Sequence, residues 1–216
     1  MTNFMKLILL SIVIFSLGAC ATPRNYDYTE FQKSKPQSIL VLPPLNRTPD
    51  VNATYGVLST VTQPLAESGY YVFPVLLVDQ TFKNNGLANP DEMHKAPLNK
   101  LSEIFGADAV LYLTVTEYGS SYKVINSNIV VSVTARLLDT RTGKLLWDGS
   151  ASGTQSQNDS GGGLVGLLVD AVVNQIANNI MGDSANRPIA RMASNSLLYA
   201  KPGGLLYGPR SPKYGK

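Results

Sequence analysis

The chain has 216 residues, of which 44% are hydrophobic and 15% are charged, and its formal net charge is +3. This balance is typical of a folded protein with a well-filled core, and it excludes a wholly disordered chain. The single cysteine excludes a disulfide within the chain, so the fold must depend on its core.

Residues 1–19 have the layout of a secretory signal peptide. Lys6 supplies positive charge, and segment 7–17 is apolar except for two serines. At 1.5 Å of rise per residue this segment covers roughly 20 Å, whereas the hydrocarbon of a bilayer is about 30 Å thick. Segment 164–181 carries an aspartate and several amides, so we expect no permanent membrane-spanning helix.

The leader ends in Leu17, Gly18, Ala19 and Cys20, which resemble the lipobox of bacterial lipoproteins. The resemblance implies a diacylglycerol on the Cys20 thiol, cleavage after Ala19 and a further acyl chain, such as palmitate, on the new amino group. Two or three such chains anchor a protein stably, at about 0.8 kcal/mol per buried methylene. The alternative for Cys20 is a buried structural thiol.

Residue 21 follows the lipidated position and bears on sorting. An aspartate there resembles the inner-membrane retention signal of many Gram-negative bacteria, and this chain has Ala21 instead. We therefore expect the protein on the periplasmic side of the outer membrane.

Strands and helices alternate in the predicted structure of segment 37–105. The expected elements are a buried strand at 39–42, a helix after Asp50 that ends at Ser68 and Gly69, a strand at 70–74, and helices at 76–83 and before Gly106. The apolar face of the first helix is predicted to contain Val51, Tyr55, Leu58, Thr62 and Leu65. Pro64 is expected to bend this helix or break its last turn.

From residue 108 the hydrophobic period changes to two, which predicts β-strands. One strand places Ala109, Leu111, Leu113 and Val115 on its core face, and the next places alternate residues from 129 to 137 on the same side. The turn at 139–144, with Gly143 in a left-handed conformation, predicts an antiparallel strand at 145–152 that buries Trp147.

A final helix is predicted where Leu164, Leu168, Val172, Ile176 and Ile180 recur every four residues.

Segment 21–182 contains 11 basic and 14 acidic residues, whereas segment 183–216 contains six basic and one acidic residue. We expect this basic Pro/Gly/Tyr-rich tail to be unstructured or loosely docked. Its possible ligands outside the cytosol are anionic lipid headgroups, cell-wall polymer or an acidic protein face. Tyr199, Tyr207 and Tyr214 are compatible with docking of the tail in a groove.

The predicted organisation is therefore a signal peptide (1–19), a lipidated tether (20–36), a periplasmic α/β domain (37–182) and the basic tail (183–216). The domain is expected to be a single α/β sandwich with a mixed sheet of about five strands covered by helices. We see no internal repeat.

The sequence has only weak indications of a nucleotide site, a metal site or a catalytic nucleophile. Gly161, Gly163 and Gly166 satisfy a dinucleotide-binding spacing, but no acid-ending strand follows, so a flexible loop is the interpretation. The only histidine, His94, has no second histidine or cysteine to share a metal, so we expect a solvated side chain. No nucleophile elbow is present. We expect no catalytic residue, metal, nucleotide or other cofactor.

Segments 106–118 ("GADAVLYLTVTEY") and 135–153 ("ARLLDTRTGKLLWDGSASG"), with the helix predicted after them, resemble a family of bacterial lipoproteins of unknown function, typified by a neisserial genome-derived antigen. With the lipobox and the "ILVLPP" strand, the resemblance covers most of 17–182. More distantly, the chain is similar to the TolB amino-terminal domain and to the curli-secretion and cell-wall-synthase-activator lipoproteins. We find no pair of membrane-inserting hairpins like those of the pore-forming curli relative.

The resemblance implies a non-enzymatic accessory or scaffold in an envelope transport, secretion or assembly complex. It also implies a homo-oligomer, with a dimer favoured, and a curli-secretion-like lipoprotein as a possible partner. Secretion removes nucleic acid as a partner of the basic tail, so we expect no nucleic-acid binding. The alternatives are an activator of a cell-wall synthase and an enzyme with unrecognised carboxylate chemistry.

Overall fold

The structure is a computed structural model that describes residues 26–123, 126–156 and 186–215. Its elements are α1 (Thr29–Ser34), β1 (Ser38–Val41), β2 (Leu45–Asn46), α2 (Ala53–Glu67), β3 (Tyr71–Val72), α3 (Val75–Asn84), α4 (Pro90–Met93), α5 (Leu98–Phe105), β4 (Ala109–Lys123), β5 (Asn126–Asp139), β6 (Leu145–Ser156) and α6 (Asn186–Tyr199).

The described strands form one mixed six-stranded sheet in the order β3-β1-β4-β5-β6, with β2 paired to β4. β1 runs parallel to β3 and β4, whereas β4, β5 and β6 are antiparallel. This arrangement confirms the predicted α/β fold class with a mixed sheet.

The long β4–β5 hairpin follows the predicted period of two. Ala109, Leu111, Leu113 and Val115 are completely buried on one face of β4. A β-bulge after Val115 shifts the register with β5. The turn from β5 to β6 has Gly143 at φ 70°, the left-handed conformation that its sequence predicts.

The sheet separates two hydrophobic cores. The larger core lies beneath α1, α2 and α6, and the smaller core lies beneath α3, α4 and α5. Strand β1 contributes to both, because Ile39 and Val41 face the larger core while Leu40 faces the smaller one. β1 is therefore covered on both faces, as an apolar run of this kind requires.

The predicted apolar face of α2 is partly wrong. Val51 is 84% exposed because it precedes the first turn of the helix, and Tyr55 is 49% exposed. The buried face instead includes Ala53, Val57 and Val61, while Leu58 and Leu65 are buried as predicted. The helix ends at Glu67, with Pro64 in its last turn and Ser68 after it.

The expectation that the chain beyond residue 182 is unstructured or loosely docked is wrong. Residues 186–199 form α6, which buries six side chains against the sheet and α2: Ile189, Ala190, Ala193, Ser194, Leu197 and Leu198. Two of the five buried apolar residues are alanines and the exposed face is mostly polar, which weakens the hydrophobic signal in the sequence. Pro188 lies in the first turn, where its missing N–H removes no helical hydrogen bond.

The C-terminal segment that follows α6 is also packed against the fold. The Trp147 indole Nε1 donates to the Gly203 carbonyl oxygen at 2.8 Å. The Gly208 amide donates to the Ser68 carbonyl oxygen at 2.8 Å, and the Tyr70 hydroxyl donates to the Leu206 carbonyl oxygen. Segment 200–215 therefore spans the distance from β6 to the α2–β3 turn.

The segment expected to be a tether is likewise docked from residue 26 onward. The Tyr26 hydroxyl donates to Asp148 Oδ1 at 2.7 Å, and the Tyr28 hydroxyl donates to the Gly204 carbonyl oxygen. Phe31 of α1 is buried in the larger core. Aromatic residues therefore fix this segment to the domain rather than leaving it extended.

Gly153→Val is expected to force α6 away from β6. A Cβ atom at Gly153 would lie 2.5 Å from the Ile189 carbonyl oxygen and 3.0 Å from the Ala193 amide nitrogen. These are helix backbone atoms, so the helix itself must move, and we expect a loss of about 1–3 kcal/mol in the free energy of unfolding.

Urea unfolding of the purified protein measures this loss. Ser150→Val is the matched control, because Ser150 is exposed on the same strand. A Gly153→Val protein as stable as the control would contradict the close packing of α6 on β6.

Candidate interaction surfaces

Asp139 is a buried carboxylate at the end of β5 that has a structural role. Its oxygens accept hydrogen bonds from the Ser34 hydroxyl at 2.5 Å, the Arg141 amide at 2.9 Å and the Thr142 amide at 2.8 Å. Burial alone would raise the pKa of the Asp139 carboxyl, but these hydrogen bonds outweigh burial and hold the pKa below its usual value. The carboxylate therefore fixes the β5–β6 turn against α1.

Asp139→Asn is expected to lower the free energy of unfolding at pH 7 by roughly 1–3 kcal/mol, since the partly buried Arg141 and Thr142 amides lose their charged acceptor. A carboxyl whose pKa is depressed by folding stabilises the protein above its unfolded pKa, near 4, and this contribution is lost as the pH falls through the folded pKa. The difference between wild type and variant should therefore shrink between neutral pH and about pH 3.

Unfolding by urea across this pH range measures the difference. Asp91→Asn is the control, because the Asp91–Arg47 ion pair leaves both side chains 54% exposed, and we expect less than about 1 kcal/mol there. A difference for Asp139→Asn that is independent of pH would rule out the carboxylate as its cause.

Other acidic side chains among the described residues also hold elements together. Asp79 is buried in α3 and lies 2.7 Å from Lys83 Nζ, which also donates to the Tyr55 hydroxyl of α2 at 2.9 Å. Hydrogen bonding to Asp79 raises the pKa of Lys83. Asp108 Oδ2 accepts from the Ser38 amide and hydroxyl at 3.0 and 2.9 Å and joins β1 to β4.

His94 is half-buried, so the expectation of a solvated histidine is wrong. Its Nε2 lies 2.9 Å from the Pro43 carbonyl oxygen, and its ring meets the Tyr112 ring edge-on at 5.2 Å between centroids. A carbonyl oxygen can only accept, so Nε2 carries the proton. Burial lowers the pKa of His94, which favours the neutral ring at physiological pH.

Several predicted site residues lie outside the described residues. They are Leu17, Gly18, Ala19, Cys20 and Ala21 of the lipidation site, Gly161, Gly163 and Gly166 of the glycine-rich segment, and the helix predicted over 164–180. Within the described ranges, no group of three or more His, Cys, Asp or Glu side chains is placed to hold a metal ion.

Two leucines at the start of α3 are exposed side by side. Leu76 is 73% exposed and Leu77 is 59% exposed, whereas Val78 and Phe82 on the other face of the helix are buried. Single exposed leucines are common on protein surfaces, but an adjacent pair at a helix start is an apolar contact available to another protein.

A groove of about 530 Å³ lies between α1 and the C-terminal segment, and we call it the terminal groove. It is lined by Phe31, Gln32, Lys35, Pro36, Leu206, Tyr207 and Tyr214. Lys213 Nζ lies 5.3 Å from the centre of the Tyr207 ring at its border. Tyr207 and Tyr214 thus line a groove of this chain, which does not test the expected docking of the tail on a partner, and the Tyr199 hydroxyl donates to the Pro64 carbonyl oxygen at 3.0 Å.

Comparison with known proteins identifies the family. A family model described as "Putative lipoprotein GNA1162-like" matches residues 26–210. The chain belongs to the GNA1162-like lipoprotein family. This membership confirms the resemblance to bacterial lipoproteins and makes the chain a lipid-anchored envelope protein.

Known relatives of this GNA1162-like chain match it over most of their length. "Putative lipoprotein NMB1124/NMB1162" of Neisseria meningitidis serogroup B (strain ATCC BAA-335 / MC58) is 50% identical over 209 residues, which are 95% of this chain and 97% of the relative. The crystal structure of lipoprotein GNA1162 from Neisseria meningitidis is 57% identical, covers 66% of this chain and 99% of that chain, and has a TM-score of 0.54.

A weaker structural likeness exists to a PelC dodecamer from Paraburkholderia phytofirmans. It has 16% identity and a TM-score of 0.45 over 79% of this chain and 92% of that chain. Nothing about the assembly of the GNA1162-like chain follows from a likeness at that level.

Sequence reasoning missed the aromatic residues that dock the segment around α1 onto the fold, of which Phe31 lines the terminal groove. Tyr26, Tyr28 and Phe31 recur within six residues of one another, and this aromatic spacing was the available signal.

Among the described residues, no helix combines the length and the apolar character needed to cross a membrane.

Proposed function

We propose that this GNA1162-like lipoprotein is a non-enzymatic accessory or scaffold in an envelope transport, secretion or assembly complex. It is anchored through Cys20 on the periplasmic side of the outer membrane. Self-association, with a dimer expected, and contact with a curli-secretion-like lipoprotein are part of this proposal.

The observation that carries the proposal is the exposed leucine pair at the start of α3. A protein tethered to a membrane works beside other envelope proteins, and Leu76 and Leu77 offer them an apolar contact on a regular helix. The buried carboxylates Asp79 and Asp139 support the proposal too, because both are occupied by structural hydrogen bonds.

Photocrosslinking in intact cells tests this proposal. A photoreactive amino acid replaces Leu77, and the same replacement at Lys100, which is exposed on α5, is the control. The proposal expects adducts at position 77, but not at position 100, with a transport, secretion or assembly component or with a second copy of the chain.

Two outcomes would overturn the proposal. Adducts at position 77 with cell-wall synthases alone would favour the activator alternative. Turnover of an envelope substrate by the purified protein, abolished by changing one acidic residue, would make the chain an enzyme.

A further inference from the structure

We infer that the terminal groove and the cations around it lie on the surface of an anionic phospholipid bilayer. This inference rests on the proposed lipid anchor at Cys20. The ligand chemistry is a layer of phosphodiester headgroups with net negative charge.

The length of chain between the anchor and the fold limits the orientation of the domain. Six residue steps separate Cys20 from Tyr26, and even a fully extended chain covers at most about 3.3–3.6 Å per step, or about 20 Å in all. Tyr26 must therefore lie within roughly 20 Å of the membrane surface.

Tyr26 is a fixed point of the domain. Its hydroxyl donates to Asp148 Oδ1 at 2.7 Å and accepts from the Asp148 amide at 2.8 Å, and its ring lies 4.7 Å from the Tyr28 ring. The Tyr28 hydroxyl in turn reaches the Gly204 carbonyl oxygen. The short linker therefore brings α1 and the C-terminal segment, which form the terminal groove, near the bilayer.

The charge at this end of the domain suits an anionic surface. Segment 200–216 contains three lysines and one arginine and no acidic residue. Lys35 and Lys213 are exposed, and neither takes part in an ion pair between described residues. The nearby acid Glu30 is paired with both Lys33 at 2.8 Å and Lys144 at 2.6 Å.

Two exposed acidic groups near this end of the domain oppose the attraction. Asp27 precedes α1 and accepts a hydrogen bond from the Thr29 amide at 2.9 Å, and Asp148 accepts from the Tyr26 hydroxyl. The four cations of the C-terminal segment outnumber these two acids. Tyr207 and Tyr214 add aromatic side chains of the kind that are enriched at membrane interfaces.

Lysine footprinting of the acylated full-length protein tests the inference. The protein is purified from membranes and reconstituted into phosphatidylglycerol or phosphatidylcholine vesicles, and trace acetylation of each lysine is followed by mass spectrometry. Lys35 and Lys213 are expected to react about fivefold more slowly on phosphatidylglycerol, whereas Lys95, exposed beside α5, should react equally on both. Salt near 1 M, which shortens the Debye length to about 3 Å, should abolish the difference.

Paired variants provide the control. Hydrogen exchange of the α1 amides should be slower on phosphatidylglycerol than on phosphatidylcholine in the wild type. Lys35→Glu with Lys213→Glu should remove that difference, whereas Lys95→Glu with Lys100→Glu, an equal change in charge, should keep it.

The outcomes separate failure of this inference from failure of the anchor. A protein that floats with both vesicles and shows equal lysine reactivity on both would overturn the docking of the terminal groove. A protein that floats with neither type of vesicle would show that Cys20 does not anchor the chain, and the inferred docking of the terminal groove would then fail as well.

Discussion

Trp147→Ala is expected to cost about 3–5 kcal/mol in the free energy of unfolding, the usual range for truncating a buried aromatic residue. The side chain is fully buried in the larger core, and its indole Nε1 donates to the Gly203 carbonyl oxygen at 2.8 Å. The ring also lies over Gly149 of the same strand, where a Cβ atom would be 2.7 Å from the ring. The substitution therefore leaves a cavity and frees the C-terminal segment.

Far-UV circular dichroism during urea unfolding measures this effect, because Trp147 is the only tryptophan and its fluorescence is lost in the variant. Trp147→Phe keeps most of the apolar volume and loses the indole hydrogen bond, so we expect a smaller loss of roughly 1–2 kcal/mol and faster hydrogen exchange in segment 200–215. Leu145→Ala is the control, because Leu145 is 41% exposed at the start of the same strand. A Trp147→Ala protein as stable as Leu145→Ala would contradict the docked C-terminal segment.

Cys20→Ser is expected to remove the protein from the membrane fraction or to leave its leader attached. A serine hydroxyl replaces the thiol that would carry the diacylglycerol, so the acyl chains that provide about 0.8 kcal/mol per buried methylene are absent. Floating cell membranes through a density gradient and blotting each fraction measures the distribution of the protein.

Ala21→Ser is the matched control for this substitution, because it alters the adjacent residue without removing the thiol. We expect it to retain processing and membrane association. Equal flotation of Cys20→Ser and Ala21→Ser proteins, both with residues 1–19 removed, would show that Cys20 is not the anchor. We expect the Cys20→Ser substitution to leave the fold of the domain unaffected.

The central sheet was predictable because it depends on local patterns. Alternation from Ala109 to Val115 identified the core face of β4, and the glycine at 143 identified the turn between β5 and β6. The strand at β1 was evident from its continuous apolar run, which is typical of a strand covered on both faces.

The helices that cover the larger core were harder to predict, because their buried faces depend on distant partners. Segment 186–199 buries alanines and a serine, and the Ser194 hydroxyl lies 3.0 Å from the Thr60 hydroxyl of α2. The same face contains Ile189, Leu197 and Leu198, and their helical spacing was the available signal. The opposite error occurred at Val51, which was predicted to be buried because it fits the helical period. It lies before the helix and is exposed.

The predicted lipidation site and the terminal groove also differ in how far the sequence alone can identify them. The lipidation site at Cys20 is a prediction that rests on four consecutive residues of the sequence. The terminal groove cannot be identified in this way, since Phe31 and Leu206, which both line it, are far apart in the sequence and only the folded chain brings them together. The charge of the tail was evident in the sequence, but its position beside α1 was not.

Mass spectrometry of the amino-terminal peptide of the native protein, extracted from membranes, decides whether the chain is lipidated at Cys20. We expect a peptide that begins at Cys20, lacks residues 1–19 and carries a diacylglycerol on sulfur with an acyl chain on nitrogen. A peptide that retains residues 1–19 with an unmodified thiol would contradict this expectation.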